Sequence, residues 1–469
     1  MSDPALLSLA DAANAIRAHK LSSVEATQAL LARIETWQPV LNAFVRLDKD
    51  AALKAAKEAD ATLAKSGPTG PLHGVPLAHK DMYYVKGKPC GCGSKVRDGW
   101  IAPATSTALT RLEEAGAIRI GALHMAEFAY GPTGHNAYLG HARNPFNPLH
   151  ITGGSSSGSG ASVAARLTYA ALGSDTGGSI RMPAHCCGVS GLKTTTGRVS
   201  RANAMPLSFT LDTVGPLARS AEDCGLIAEA IAGPDPLDPV TDKSPFWDKA
   251  AAQRDVKGLT IGVPTSFYVD DLDPDVAATL DAAISEFERL GARVVKVTMP
   301  DQTAVAAAAI VVLAVEAAAL HAPWLRTRPG DYTPQVRNRL ENGLAYSAIE
   351  YLEALRWRGP ALQAHLDAIG DVDVILAPAS RSAPPRIDET DVGGGPSAEE
   401  MVVAVMRFMR PVNYLGLPVM VVPAGRSATG LPIGLQLIGR PFGDETCVAF
   451  GRAFQQVTDH HLRIPELPQ

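Results

Sequence analysis

Two stretches of this sequence concentrate side chains that can make and break bonds: TGGSSSGSGASVAA (152–165) and GSDTGGSIRMP (173–183). The second follows an apolar run, LTYAALG (167–173), that predicts a strand. A strand ending in Thr-Gly-Gly-Ser aims backbone N–H groups at something beyond it. Three readings of the first stretch meet objections. A flexible linker would not run straight into an apolar, helix-like segment. A phosphate loop needs a lysine after its glycines, and none follows. Read as G-x-S-x-G, Gly154 to Gly158 makes Ser156 the centre of a nucleophile elbow, which requires a preceding strand and later Asp and His partners. NPLHIT is a poor strand, and His185, His321, His365, His460 and His461 sit in no recognisable setting.

A fourth reading joins three places. HGVPLAHKD puts Lys80 at the end of a predicted strand, followed by Asp81. A lysine there is commonly a solvated surface charge, but the residues before it are mostly apolar and can draw it inside. A desolvated ammonium loses proton affinity, because burial penalises its charged form. Such a lysine serves as a general base near neutral pH, as in Ser-Lys variants of the hydrolytic triad. Ser155 and Ser179 then supply a proton relay and a nucleophile.

The elements that must position these groups follow from periodicity. Residues 5–65 read as helices, with Ser23 as N-cap of LSSVEATQALLARIETW and Gly67-Pro68 ending a second, Ala-rich helix. Strand candidates lie at 74–79, 117–123, 167–173, 259–264, 292–299, 372–379, 418–425 and 433–439. LTRLEEAGAIRIGA and FERLGARVVKV each read as helix, Gly turn and strand, the alternation of an α/β protein. Strands from 74 to 439 are needed for one sheet, so the expected fold is a single large α/β domain. Its sheet is mixed, mostly parallel and twisted, with helices on both faces. Within 1–469 the expected parts are an N-terminal helical segment (1–65), a catalytic core (72–225), a variable pocket region (226–410) and C-terminal core strands with a helix (411–469). The segments 230–250 and 380–398, rich in Pro, Asp and Gly, read as a connection and a loop or flap.

The 469 residues, 46% hydrophobic and 19% charged, suit a large buried core. A net charge of −5 gives no reason to expect nucleic acid as a partner. Cys90, Cys92, Cys186, Cys187, Cys224 and Cys447 lack zinc-ligand spacing and are sparse for a disulfide scaffold, so they read as free thiols in a reducing compartment. The N-terminus has no signal-peptide pattern, and VAAAAIVVLAVEAAAL, interrupted by Glu316, suits a buried helix. A cytoplasmic protein is expected.

GGSSSGSGASVAARLTYAALGSDTGGSIRMPAHCCGVSGLKTTTGRVS resembles the core block of the amidase signature family, which ends in D-T-G-G-S-I-R-x-P. GPLHGVPLAHKD is similar to the family's lysine segment and MAEFAYGPTGHNAYLGHARNP to its pocket segment. PVNYLGLPVMVVPAG and GLPIGLQLIGRPFGDE resemble its C-terminal signatures, so five motifs occur in the family's order over roughly residues 5 to 455. The resemblance implies Lys80 as base, Ser179 as acylated nucleophile, and Ser155, on a cis peptide 24 positions earlier, as the bridging serine. It implies an oxyanion site of backbone N–H groups from Thr176, Gly177, Gly178 and Ser179. Tyr130 stands where it could contact the acyl group or simply fill the core, and Asp175 and Arg181 read as loop-holding residues. Ser157, His79 and the Cys186-Cys187 pair depart from the commonest pattern without removing a catalytic group.

The implied chemistry is acyl transfer to water through an acyl-enzyme, with no metal or organic cofactor. The leading expectation is a stand-alone hydrolase of a small, uncharged amide (a carboxamide, anilide or hydrazide, or an ester), acting without nucleic acid or membrane and self-associating as a homodimer. The alternative is the A subunit of a glutamyl-tRNA amidotransferase. The segment 400–412, with Arg407 and Arg410 and no acid after Glu400 to receive glutamine's amine, argues against that alternative at this stage.

Overall fold

The computed structural model describes residues 3–466 apart from 392 and 394, with the backbone alone at 398 and 399. Eleven strands form one sheet: β1 (Phe44–Leu47), β2 (Pro76–Lys80), β3 (Ile118–Leu123), β4 (Ala170–Asp175), β5 (Ser190–Lys193), β6 (Thr213–Ala218), β7 (Thr260–Pro264), β8 (Arg293–Val297), β9 (Val374–Pro378), β10 (Val419–Arg426) and β11 (Pro432–Gly439). Their spatial order is β1-β3-β2-β4-β6-β5-β10-β11-β9-β7-β8. Parallel ladders join β2 to β3 and β4 in one wing and β7 to β8 and β9 in the other. Antiparallel ladders, six to the four parallel ones among the described residues, fill the centre and bring β1 to the edge.

The expected single α/β domain on a mixed sheet with helices on both faces is what the chain forms. Alternation along β10 shows why both faces must be covered. Met420 and Val422 enter one apolar core while Val419 and Val421 enter the other. Both helix–turn–strand units are present, and Gly116 (φ +93°) and Gly291 (φ +83°) make their turns in the left-handed region.

Three strands escape the sequence reading. β6 carries Gly215 and Pro216, residues that weaken a strand. Here Gly215 is required, because a side chain on it would strike the Leu192 carbonyl of the sheet. β5 and β1 are only four residues each. One cap shifts as well. Ser22, not Ser23, opens the helix Ser23–Leu41 and forms a capping box with Glu25. Ser23 is buried instead and donates to the Gly74 carbonyl at 2.5 Å.

The apolar helix Gln302–Thr327 is long and apolar enough to cross a membrane by length and composition, the one such helix among the described residues. Its buried Glu316 accepts hydrogen bonds from Ser208, Thr210 (2.7 Å) and Tyr351 (3.0 Å), which ties it into this fold.

Candidate active site

β2 and β4 lie side by side and parallel, so their C-terminal ends open on the same side of the sheet. Lys80, the last residue of β2, is fully buried. Its Nζ donates to Ser155 Oγ at 2.6 Å and to Ser174 Oγ at 2.9 Å. Burial pushes its pKa from 10.5 down to about 7, although the carboxylates of Asp212 and Asp175 pull it back up. A lysine in that state is half neutral near pH 7 and can take a proton. The peptide bond from Gly154 to Ser155 is cis. Predicted and observed strands differ usefully at β4, which begins at Ala170 and continues through Ser174 and Asp175. That continuation puts Ser174 on the sheet beside Lys80, a partner the sequence reading did not single out.

Ser179 follows the turn after β4 and lines a cleft with Tyr130, Thr176 and Gly177. The wall opposite is made by Leu207, Met406, Arg339 and Arg410. No hydrogen bond joins Ser179 Oγ to Ser155 among the described residues; the two segments meet through Ser156 N–H donating to the Ser179 carbonyl at 3.3 Å. Ser156 itself is fixed to β4, its hydroxyl exchanging bonds of 3.4 and 3.3 Å with the Ser174 backbone. A side chain spent in this way cannot also serve as an exposed nucleophile, so the elbow reading fails on geometry.

Asp175 shapes the turn. It accepts N–H bonds from Gly178 (2.7 Å) and Ile180 (3.1 Å) and pairs with Arg181 at 3.0 Å, both side chains fully buried. Burial alone would raise the Asp175 carboxyl, but the Arg181 guanidinium overrides it and holds the pKa well below the usual carboxylate range. Arg181 also reaches Gln436 Oε1 at 2.9 Å and the Met409 carbonyl at 3.0 Å. Both residues hold the loop, as the sequence suggested. The expected oxyanion site loses one member. The Gly178 N–H is taken by Asp175, so it cannot also face an oxyanion; the N–H groups of Gly177 and Ser179 make no bond to another described group. Gly178 is needed for space and conformation, with φ +128° and the Met406 and Met409 side chains where a Cβ would go. Thr176 donates its hydroxyl to Asp212 at 2.5 Å, and Asp212 in turn accepts the Leu207 and Ser208 N–H groups, fixing the cleft's rim.

Tyr130 does line the cleft, and its carbonyl accepts from Arg339 at 2.5 Å. Arg339 lies on the helix Pro334–Gly343, inside the region expected to vary with specificity, but nothing in its spacing distinguishes it from a surface arginine. His79 packs on the other side of β2, against Tyr83, with its pKa pushed by burial to about 3, so it does not tune Lys80 directly. Arg407 is not in the cleft: it pairs with Asp270 and Asp271 at 3.5 and 3.6 Å. The side chain of Glu399, next to the segment that reads as lacking an acid, lies outside the described residues. That segment therefore does not speak against a glutamine site.

The chain matches the model of the Amidase family over residues 25–448. It is 40% identical over 473 residues to the A subunit of the glutamyl-tRNA(Gln) amidotransferase of Geobacter metallireducens, covering 96% of each chain. Among solved structures, the corresponding amidotransferase chain of Thermotoga maritima superposes with a TM-score of 0.84 at 28% identity, over 100% of this chain and 99% of that one. A chain from a vestigial protein complex bearing on the origins of an s-triazine catabolic enzyme gives 0.90 at 34%, over 99% and 100%. These relatives overturn the expectation of a self-sufficient hydrolase of a small uncharged amide with no nucleic acid among its associations. Near-full-length relatives from several bacteria, 36 to 40% identical, bear the name of one subunit of a tRNA-dependent enzyme.

Proposed function

The chain belongs to the Amidase family, and from that premise we propose that it is the amide-cleaving subunit of a glutamyl-tRNA amidotransferase. In that role it releases ammonia from glutamine for a tRNA-bound acceptor held by partner subunits in the cytoplasm. The observation that carries this reading is the 40% identity across 96% of both chains, with no domain added or lost. The cleft supports it: Arg339 and Arg410 line the wall across from Ser179 and offer guanidinium groups to the α-carboxylate of a glutamine whose side-chain amide reaches Ser179.

In this mechanism neutral Lys80 takes a proton from Ser155 as Ser155 takes the proton of Ser179. The Ser179 oxygen attacks the amide carbon, and the charge growing on the carbonyl oxygen is received by the N–H groups of Gly177 and Ser179. The proton returns along the same path to the amide nitrogen, the C–N bond breaks, and ammonia leaves. Water, deprotonated by the same route, cleaves the γ-glutamyl ester to glutamate. The missing Ser155–Ser179 bond closes as substrate settles, since catalytic hydrogen bonds are often long before it binds.

Co-purification of the tagged chain with its partner subunits, followed by assay of L-glutamine hydrolysis with and without glutamyl-tRNA, tests this. Glutamate formation stimulated by the charged tRNA is expected. A purified assembly that leaves glutamine intact would overturn the proposal.

A further inference from the structure

A second cavity lies behind the nucleophile's helix. It is about 880 Å³ counted out to its mouth, and Met182, His185 and Cys186 form its floor. The helix Pro396–Val405 separates it from the catalytic cleft. Met401, Ala404 and Val405 face the cavity, while Val402 and the following Met406 face the cleft. The two spaces therefore share one wall.

The floor presents an unmet donor. His185 is 1% exposed, and its Nδ1 accepts the Gly434 N–H at 3.0 Å, which places its proton on Nε2. That Nε2–H leans toward the Ser382 backbone but completes no hydrogen bond among the described residues. A buried, unpaired N–H donor costs about 1–3 kcal/mol, which an incoming acceptor oxygen recovers. The hydroxyls of Ser380 and Ser382, also lining the cavity, donate no bond to another described group, and the guanidinium of Arg381 stands beside them. Across the mouth lie two carboxylates. Glu389 accepts one backbone N–H, from Arg386. Asp273 opens the helix Pro274–Arg289 yet makes no capping bond and, among the described residues, no ion pair. Donors on one side and carboxylates on the other match a ligand with an anionic and a cationic end on adjoining atoms.

We propose that this cavity is a second binding site, taking a small α-amino acid as its zwitterion. The carboxylate is received by His185 Nε2 and the Ser380 and Ser382 hydroxyls, and the ammonium by Asp273 and Glu389. A ligand seated there braces the Pro396–Val405 wall of the catalytic cleft. The site stands or falls independently of the amidotransferase reading, since none of its groups belongs to Lys80, Ser155 or Ser179.

Glycine, the smallest such zwitterion and one with no side-chain amide to cleave, is the probe. Titration of the full-length chain followed by calorimetry is expected to show one saturable site. Hydrogen exchange with glycine present is expected to slow in 380–390 and 396–405. The His185→Phe and Asp273→Asn variants, the second at an exposed position that spares the fold, are each expected to weaken glycine at least tenfold. Unchanged affinity in Asp273→Asn, protection confined to the catalytic cleft, or acetate or methylamine binding as tightly as glycine would each overturn the proposal.

Discussion

Removing the hydroxyl of Ser174 should move the acid limb of the pH–rate profile downward. Lys80 donates to Ser174 at 2.9 Å and to Ser155 at 2.6 Å, and its pKa lies at about 7. A hydrogen bond from a charged donor is worth about 1.5–3 kcal/mol, against about 0.5–1.5 for a neutral one, so Ser174 favours the ammonium by roughly 1 kcal/mol. At 1.36 kcal/mol per unit, its loss lowers the pKa by about 0.7 unit. The neutral, proton-accepting fraction at pH 6 then rises about fourfold, while at pH 8 it hardly changes. The β4 ladder runs through backbone groups, so Ser174→Ala leaves the strand paired. kcat/KM for glutamine measured from pH 5 to 9 in the intact assembly reads the limb directly. The height of the plateau can fall through lost positioning, but the midpoint is what reports the contact. A midpoint that stays put or moves up would refute the role assigned to the Lys80–Ser174 contact.

Other expectations rest on the same geometry. Ser179→Ala should abolish glutamine hydrolysis with the fold intact, whereas Ser156→Ala should keep substantial activity; steady-state assays and circular dichroism check both. Lys80→Met should eliminate turnover yet raise thermal stability. The charged form of this lysine is penalised in the fold, a cost present below its folded pKa of about 7 and fading as pH rises toward 10.5, and linkage puts it at about 4 kcal/mol near neutrality. Melting curves should therefore show a larger gain at pH 6 than at pH 10, and an equal gain at both would count against the buried-lysine account. Gly178→Ala should destabilise by roughly 1–3 kcal/mol and slow turnover, since a Cβ there meets Met406 and Met409 and the φ is +128°; urea titration would detect it.

Much of this architecture was readable from residues alone because the signals were local. Gly turns after amphipathic helices announce the two helix–turn–strand units, and an apolar run ending in His-Lys-Asp announces a strand that carries Lys80 inward. What was not readable depended on distant partners. β6 looks unlike a strand because its Gly215 answers a carbonyl of β5, not its own neighbours in sequence. The commitment of Gly178 N–H to Asp175 removes a donor that spacing alone assigned to the oxyanion. Arg407 and Arg410 are three residues apart, yet one reaches surface carboxylates and the other lines the cleft. Their difference misdirected the functional expectation, because a sequence does not show which of two nearby arginines faces substrate.

The central claim is that Lys80, Ser155 and Ser179 cut the amide of glutamine and that the nitrogen passes to a tRNA-bound acyl group. Its most direct test supplies the assembled enzyme with L-glutamine labelled with nitrogen-15 at the side-chain amide, together with glutamyl-tRNA. Mass spectrometry of the amino acid released from the tRNA then follows the label. The account predicts labelled glutamine on the tRNA with the unaltered chain and none with Ser179→Ala. Label transferred equally well by the Ser179→Ala assembly, or a chain that cleaves glutamine but never labels the tRNA, would contradict it.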